Sequence, residues 1–295
     1  MEKFKKLTSI SQLLLRLTYS KGIEIVGKWK ILMHLIETNT SQLSVSELSQ
    51  IAQLHRTRID FMTSFSALTS EIMEEKLKME QFITYFDPMY PEQLRQISSP
   101  PLVLFYRGDI TLLDAKKIIG IVGARQATSY AYKVIRTFIP ELIKEEIVTI
   151  SGLAKGVDWC AHDQTLRHTG KTIGVVACGL DYCYPKESIS LFNEMCRHHL
   201  VLSEHPIGTK PKRHHFPMRN RVIAGIADGV CVVEAKQRSG ALITAQLALE
   251  YGRDVFAVPG DILSGQSQGC HELILDGAIC TTNAQKIINE TQFYR

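Results

Sequence analysis

The sequence predicts an α/β protein: a mostly parallel sheet with helices on both faces, preceded by a small all-helical N-terminal domain. Three observations carry this. Short apolar runs rich in Val and Ile recur at 102–106, 118–122, 147–150, 172–177, 200–203, 230–234 and 255–258. Helix-length amphipathic stretches, such as 130–144 and 157–168, lie between most of them. Near-continuous Val/Ile strands alternating with helices are the pattern of a parallel sheet buried on both faces. The first 80 or so residues lack such runs and instead space their apolar residues as helices do.

Taken in order, Leu7, Ile10, Leu14 and Leu17 form one helical stripe, and Ile25, Trp29, Leu32 and Ile36 a second. Ser44 and Glu47 are placed as a capping box, each side chain satisfying an orphan amide at a helix start. Ile59, Met62, Phe65, Leu68 and Ile72 read as one further stripe, ending in a charged run at 71–80. Core packing explains these stripes, and nothing in the segment carries chemistry. The pattern changes near Phe82, so the division expected is 1–81 helical and 82–290 α/β.

The 295 residues fit two domains at about 150 residues each. Hydrophobic residues at 45% and charged residues at 22% exclude extensive disorder. No apolar run reaches the roughly 18–20 residues of a membrane span, and the Met1-Glu2-Lys3 start has no signal-peptide pattern; the expectation is a cytoplasmic protein. Seven scattered cysteines without a Cys-x-x-Cys pair read as buried thiols in a reducing compartment.

Ligands of doubly covered parallel sheets bind at the carboxyl ends of the strands. Three loops there lead into helix starts: Gly123-Ala124-Arg125, Ser151-Gly152-Leu153-Ala154-Lys155-Gly156, and Ser239-Gly240. Helix N-termini offer free amides and partial positive charge, and glycine lets a phosphate approach the main chain. Arg125 and Lys155 add full charges, so the three loops together favour a phosphate-rich ligand. Net charge is only +4, from 34 cations and 30 anions, but its distribution is uneven. Between Glu204 and Asp228 there is no carboxylate, while Lys210, Lys212, Arg213, Arg219 and Arg221 fall there, the last two flanking Asn220. Arginine's planar fork suits phosphate oxygens and stacks on bases. With Phe216, Tyr184 and Phe192 nearby, this is the recipe of a single-stranded nucleic-acid groove.

Several chemistries lack their residues. The Gly-x-Gly-x-x-Gly fingerprint is missing, and Gly170-Lys171-Thr172 precedes a strand, where a P-loop must follow one. There is no His-Glu-x-x-His, no Gly-x-Ser-x-Gly and no acidic cluster for two metals. No metal or cofactor is therefore expected. Cys178 with His162 as a nucleophile and base is less favoured than a buried thiol, and Asp158 with His162, one turn apart, reads as a tie at a helix start. His214-His215 suits an anion surface better than a metal.

Taken together, Gly123-Ala124-Arg125, the 151–158 loop, Ala161-His162, Gly179-Leu180-Asp181, Tyr184-Pro185, Ser203-Glu204, 216–221, Glu234, Ser239-Gly240, Pro259-Gly260 and Gly277-Ala278 closely resemble the DNA-processing protein A (DprA/Smf) family in order and spacing. The resemblance runs from about Tyr90 to Ala278. It implies an extended Rossmann-like domain binding single-stranded DNA in a basic pocket, without enzymatic turnover. It further implies a homodimer, pairing through 269–275, that protects incoming strands in natural transformation and helps load RecA recombinase. By motif position Arg125 and Lys186 would be pocket cations, with Arg219 and Arg221 alongside, and the N-terminal helices look like a sterile-alpha-motif-type domain. Ser188 stands where the family usually has asparagine, and no C-terminal winged-helix segment is expected. The alternative from a different class is a nucleotide-hydrolysing, base-releasing enzyme of the same Rossmann-like group, although its glycine run is absent from 239–244.

Overall fold

The computed structural model describes residues 3–40 and 43–293; Met1 and Glu2, where the leader reading starts, lie outside them. One nine-stranded sheet organises the chain: β1 (Gln81–Thr84), β2 (Val103–Gly108), β3 (Ile118–Val122), β4 (Val148–Ser151), β5 (Thr172–Val176), β6 (Leu200–Ser203), β7 (Gly229–Val232), β8 (Asp254–Ala257) and β9 (Ile279–Cys280). Their spatial order is β1-β2-β6-β5-β4-β3-β7-β8-β9. From β6 to β9 every pair is parallel, whereas β2 runs antiparallel to both β6 and β1. The order therefore reverses at β3, with β4 on one side and β7 on the other. That switch point is where such sheets leave a crevice outside their carboxyl ends.

Strand periodicity assigns the faces. Ile118 and Val122 of β3 join one apolar cluster with helix His215–Ile226 (Val222, Ile223, Ile226) and helix Gly240–Glu250 (Ala241, Ala245, Ala248). Ile119 and Ile121 join another with Ile135, Phe138 and Ile139 of helix Ser129–Lys144 and Val157 and Ala161 of helix Val157–Arg167. All but one residue of these two strand faces is apolar; the exception is Gly120, where a Cβ would meet Val230 Cγ2 at a tight 3.1 Å.

Among its described residues the N-terminal segment forms five helices, from Ser9–Tyr19 to Ser70–Leu77, with a core of Leu17, Ile31, Leu35, Leu48, Phe61 and Phe65. The capping box is present: Ser44 Oγ accepts from the Glu47 amide and the Ser44 amide donates to Glu47 Oε2 at 2.7 Å. The single stripe expected from Ile59 to Ile72 is instead two helices, Arg58–Ser66 and Ser70–Leu77. Thr69 caps the second; Phe61 and Phe65 of the first and Met73 and Leu77 of the second are buried, while Ile59 is 78% exposed. A division at 81/82 falls inside β1. The helices also share a core with the sheet: Leu14, Leu15, Met73 and Leu77 cluster with Phe105, Val176 and Val201. Lys3 ties the chain's start to the sheet: its ammonium donates to the Glu80 carbonyl at 2.5 Å and lies over the Phe82 ring.

Candidate nucleic-acid interface

Two cavities open side by side at the carboxyl edge. The smaller, about 210 Å³, lies between the loops after β4 and β5 and is walled by Val176, Ala177, Cys178, Tyr184, Pro185, Pro211 and Phe216, with Arg125, Lys155 and Arg219 contributing charge. The larger, about 480 Å³, sits at the switch point, between the loop after β3 and the start of helix Gly240–Glu250. Arg125 and Phe216 line both. The Arg125 guanidinium lies 5.1 Å from the Phe216 ring centroid, and the Tyr184 ring meets Phe216 edge-on at 5.8 Å. Arg125 is exposed and Tyr184 is half-exposed. A cation and two π-faces thus share one wet rim, the combination that holds phosphate and unpaired bases together.

Lys186 follows on the short 3₁₀ turn Lys186–Ser188 and is exposed, as are Lys210, Lys212 and Arg213 on the loop leading into helix His215–Ile226. Among the described residues none of Arg125, Lys186, Lys212 and Arg213 has a carboxylate within salt-bridge distance. Lys155 does: its Nζ lies 3.0 Å from Glu187 Oε1. Ser188 is buried and opens helix Ile189–His198.

Five sequence-predicted positions play other parts. Ser151 is fully buried, and its hydroxyl donates to the Ile121 carbonyl at 2.6 Å, stitching β4 to β3. The turn at Gly152 is already filled by an internal anion: Asp158, 6% exposed, accepts from the Gly152 amide at 3.2 Å. Arg219, 7% exposed, is the counter-charge of that buried carboxylate. Its guanidinium donates to the carbonyls of Gly152 and Val175 and to Asn220 Oδ1, so it braces the cavity floor. Asn220 in turn donates to the Gly240 carbonyl at 3.2 Å. Arg221 lines neither cavity; it grips both oxygens of Glu204, at 2.5 and 2.6 Å, with both side chains nearly buried. The carboxylate gap noted in the sequence ends at the very residue that answers Arg221.

The glycines shape the loops. Gly156 has φ +82°, and a Cβ there would lie 2.2 Å from the Ala124 carbonyl, so it lets the β3 and β4 loops touch. A Cβ on Gly152 would collide with the Arg219 guanidinium. Gly123 packs under Val157, while Gly240 is open to the larger cavity and Ser239 Oγ has no hydrogen-bond partner among the described residues. The open helix start is thus the third loop, not the second. Phe192 is 4% exposed and offers no stacking face. His162 does not meet Asp158; its Nδ1 bonds Thr172 Oγ1 at 2.7 Å. Burial pushes the Cys178 thiol up to about 11, and it donates to the Tyr182 carbonyl, as a packed thiol would. Among the described residues, no His, Cys, Asp and Glu cluster could hold a metal ion, and no helix is long and apolar enough to cross a membrane.

Burial also governs the acid response. It depresses His162 and His205 to about 3, with His199 adding to the first and the stacked His215 ring, 3.9 Å away, to the second. His199 and His215 shift the same way. Depressed histidines stay neutral in the folded state, so the unfolded chain binds more protons as pH falls below about 6.5, and stability drops. Glu80, raised to about 7 by burial, and the buried Asp158 work in the opposite sense, but the histidines outnumber them. The thermal midpoint is therefore expected to fall between pH 7 and pH 5, by about 1.4 kcal/mol of stability per pH unit for each net proton. A midpoint that rises over that interval contradicts this balance.

A doubly wound, Rossmann-like sheet with a cation-and-aromatic crevice at its switch point defines the class of α/β protein to which the chain belongs. The chain belongs to the DNA recombination-mediator protein A family, whose model matches residues 81–292. It is 46% identical over 201 residues to the DNA processing protein DprA of Bacillus subtilis, covering 68% of each chain. It is 40% identical to that of Streptococcus pneumoniae over 257 residues, 87% of this chain and 90% of the relative. The X-ray structure of the pneumococcal protein superposes with a TM-score of 0.89 at 38% identity, covering 98% of this chain and 100% of that one. A structure of Helicobacter pylori DNA processing protein A, described for its single-stranded DNA binding mode, matches 71% of this chain and 94% of that one, with TM-score 0.65 and 32% identity.

Proposed function

We propose that this chain binds single-stranded DNA at the carboxyl edge of its sheet, and that it protects incoming strands in the cytoplasm and helps load RecA recombinase onto them. The observation that carries the DNA reading is the rim where Arg125 lies over Phe216 with Tyr184 edge-on beside it, at the mouth of the 210 Å³ cavity. Arg125, Lys186 and the basic loop contact backbone phosphates, helped by the open helix start at Ser239-Gly240 and by Lys236, which also lines the larger cavity. Few groups there suit base edges, so binding is largely independent of sequence. Unpaired bases alone can reach an aromatic face, so single strands are preferred over duplex. The role is that of a binding mediator and not of an enzyme. Titration of labelled single- and double-stranded oligonucleotides of one length tests this: tighter, salt-dependent binding of the single strand is expected, and equal affinity for duplex would refute the preference.

The protein is proposed to work as a homodimer. Ile262, Leu263 and Leu275 are 80%, 90% and 85% exposed beside helix Gln268–Leu275, an apolar face with a reason to pair. Light scattering at micromolar concentration is expected to give twice the chain mass, and Leu275→Glu to halve it; a wild-type monomer would count against the assignment.

A further inference from the structure

We propose that Glu187 is a built-in competitor for the DNA strand, holding Lys155 until a phosphate displaces it; this rests on the reading that DNA enters the smaller cavity. Lys155 comes from the loop after β4 and lines that cavity. Glu187 comes from the 3₁₀ turn directly after Tyr184-Pro185, which forms another part of the wall. The two residues are 32 positions apart in sequence, yet Nζ and Oε1 lie 3.0 Å apart. A carboxylate oxygen accepts from an ammonium as a phosphate oxygen does, and with the same sign of charge. Among the described residues, Lys155 is the exposed cation around this mouth that a carboxylate already answers, while Arg125, Lys186, Lys212 and Arg213 have none within salt-bridge distance and Arg219 is buried against Asp158.

The strength of the pair suits displacement. Both side chains are largely exposed, 56% and 70%, and exposed ion pairs are weak. A lone anion gains little by breaking the pair, because the intramolecular carboxylate is always at hand. A strand already held by Arg125 and the basic loop meets Lys155 as a second, intramolecular contact and overcomes it. Glu187 thereby discriminates in favour of a polyanion and against a mononucleotide or inorganic phosphate.

The test is a double-variant cycle read by fluorescence titration of an oligothymidylate. Glu187→Gln keeps the side-chain size and removes the charge; it is expected to tighten binding about 1.5- to 5-fold, the range an exposed ion pair commands. In a Lys155→Met background the same change is expected to give no gain. Glu141→Gln, on the exposed face of helix Ser129–Lys144, controls for net charge and leaves affinity unchanged. If Arg125→Ala weakens binding but Glu187→Gln does not tighten it, or if the gain survives Lys155→Met, the competitor role is refuted while the pocket stands. If Arg125→Ala leaves binding intact, the pocket is misplaced and the competitor role falls with it.

Discussion

Arg125→Ala is expected to weaken single-strand binding about tenfold or more, with the fold intact. The side chain is exposed and makes no ion pair among the described residues, so its removal orphans no buried group. What is lost is a charge-assisted contact, worth about 1.5–3 kcal/mol for hydrogen bonds to charged groups. Its seat over Phe216 holds the guanidinium at the rim and spreads the effect to any base stacked on that ring. One lost phosphate contact also lowers the salt slope for a single strand by about 0.7. Lys186→Ala is expected to act in the same direction. Unchanged affinity and slope in both variants would place the pocket elsewhere.

Arg221→Ala is expected to do the reverse: to destabilise the protein while the folded fraction still binds DNA. Arg221 and Glu204 are nearly buried, with side chains 9% and 12% exposed. Removing one partner of a buried pair leaves an uncompensated charge, at a cost of about 3–5 kcal/mol. Lys28, whose ammonium burial pushes below its ordinary range and Glu204 pulls back, remains near the carboxylate and sets the loss toward the lower end. Thermal denaturation checks this, with a midpoint lower by about 10 °C for roughly 3 kcal/mol in a domain of this size. Arg221→Met with Glu204→Leu is expected to recover only part of the loss, since apolar replacement of both partners is often neutral but here also takes the nearby carboxylate from Lys28. A stable Arg221→Ala variant that no longer binds DNA would restore Arg221 to the interface.

The contrast between these arginines marks what the sequence could and could not reveal. Strands with a buried environment on both faces were legible because their Val/Ile runs are nearly unbroken; β3 and β6 fall where the runs predict them. β1 and β9 were not. The first follows a charged run with only Phe82 and Ile83 as apolar residues, and the second is two residues long. Both are edge strands, where pairing on a single side demands little of the side chains. The helical spacing of Ile59 and Ile72 pointed to the core, yet the stripe is two helices with a break before Ser70, and both residues are exposed.

At the site, the strand-end loops and Arg125 were readable because position after a β-strand fixes where they point. The partners of Arg219 and Arg221 were not. Asp158 lies 61 residues before Arg219, and its capture of the Gly152 amide depends on how the β4 loop closes over it. Glu204 was visible in the sequence only as the boundary of a basic stretch. Local composition shows how many cations a segment carries; which of them stay free is decided by carboxylates brought in by tertiary packing.

The strand is placed at the rim formed by Arg125, Phe216 and Tyr184. Photocrosslinking of 5-iodouracil oligonucleotides, followed by mass spectrometry of the linked peptides, locates it directly, because the reaction favours aromatic side chains in van der Waals contact with the base. Adducts on Phe216 or Tyr184, lost in Arg125→Ala, are the predicted result. Adducts confined to the N-terminal helices, with Phe216 and Tyr184 unmodified, would contradict the account.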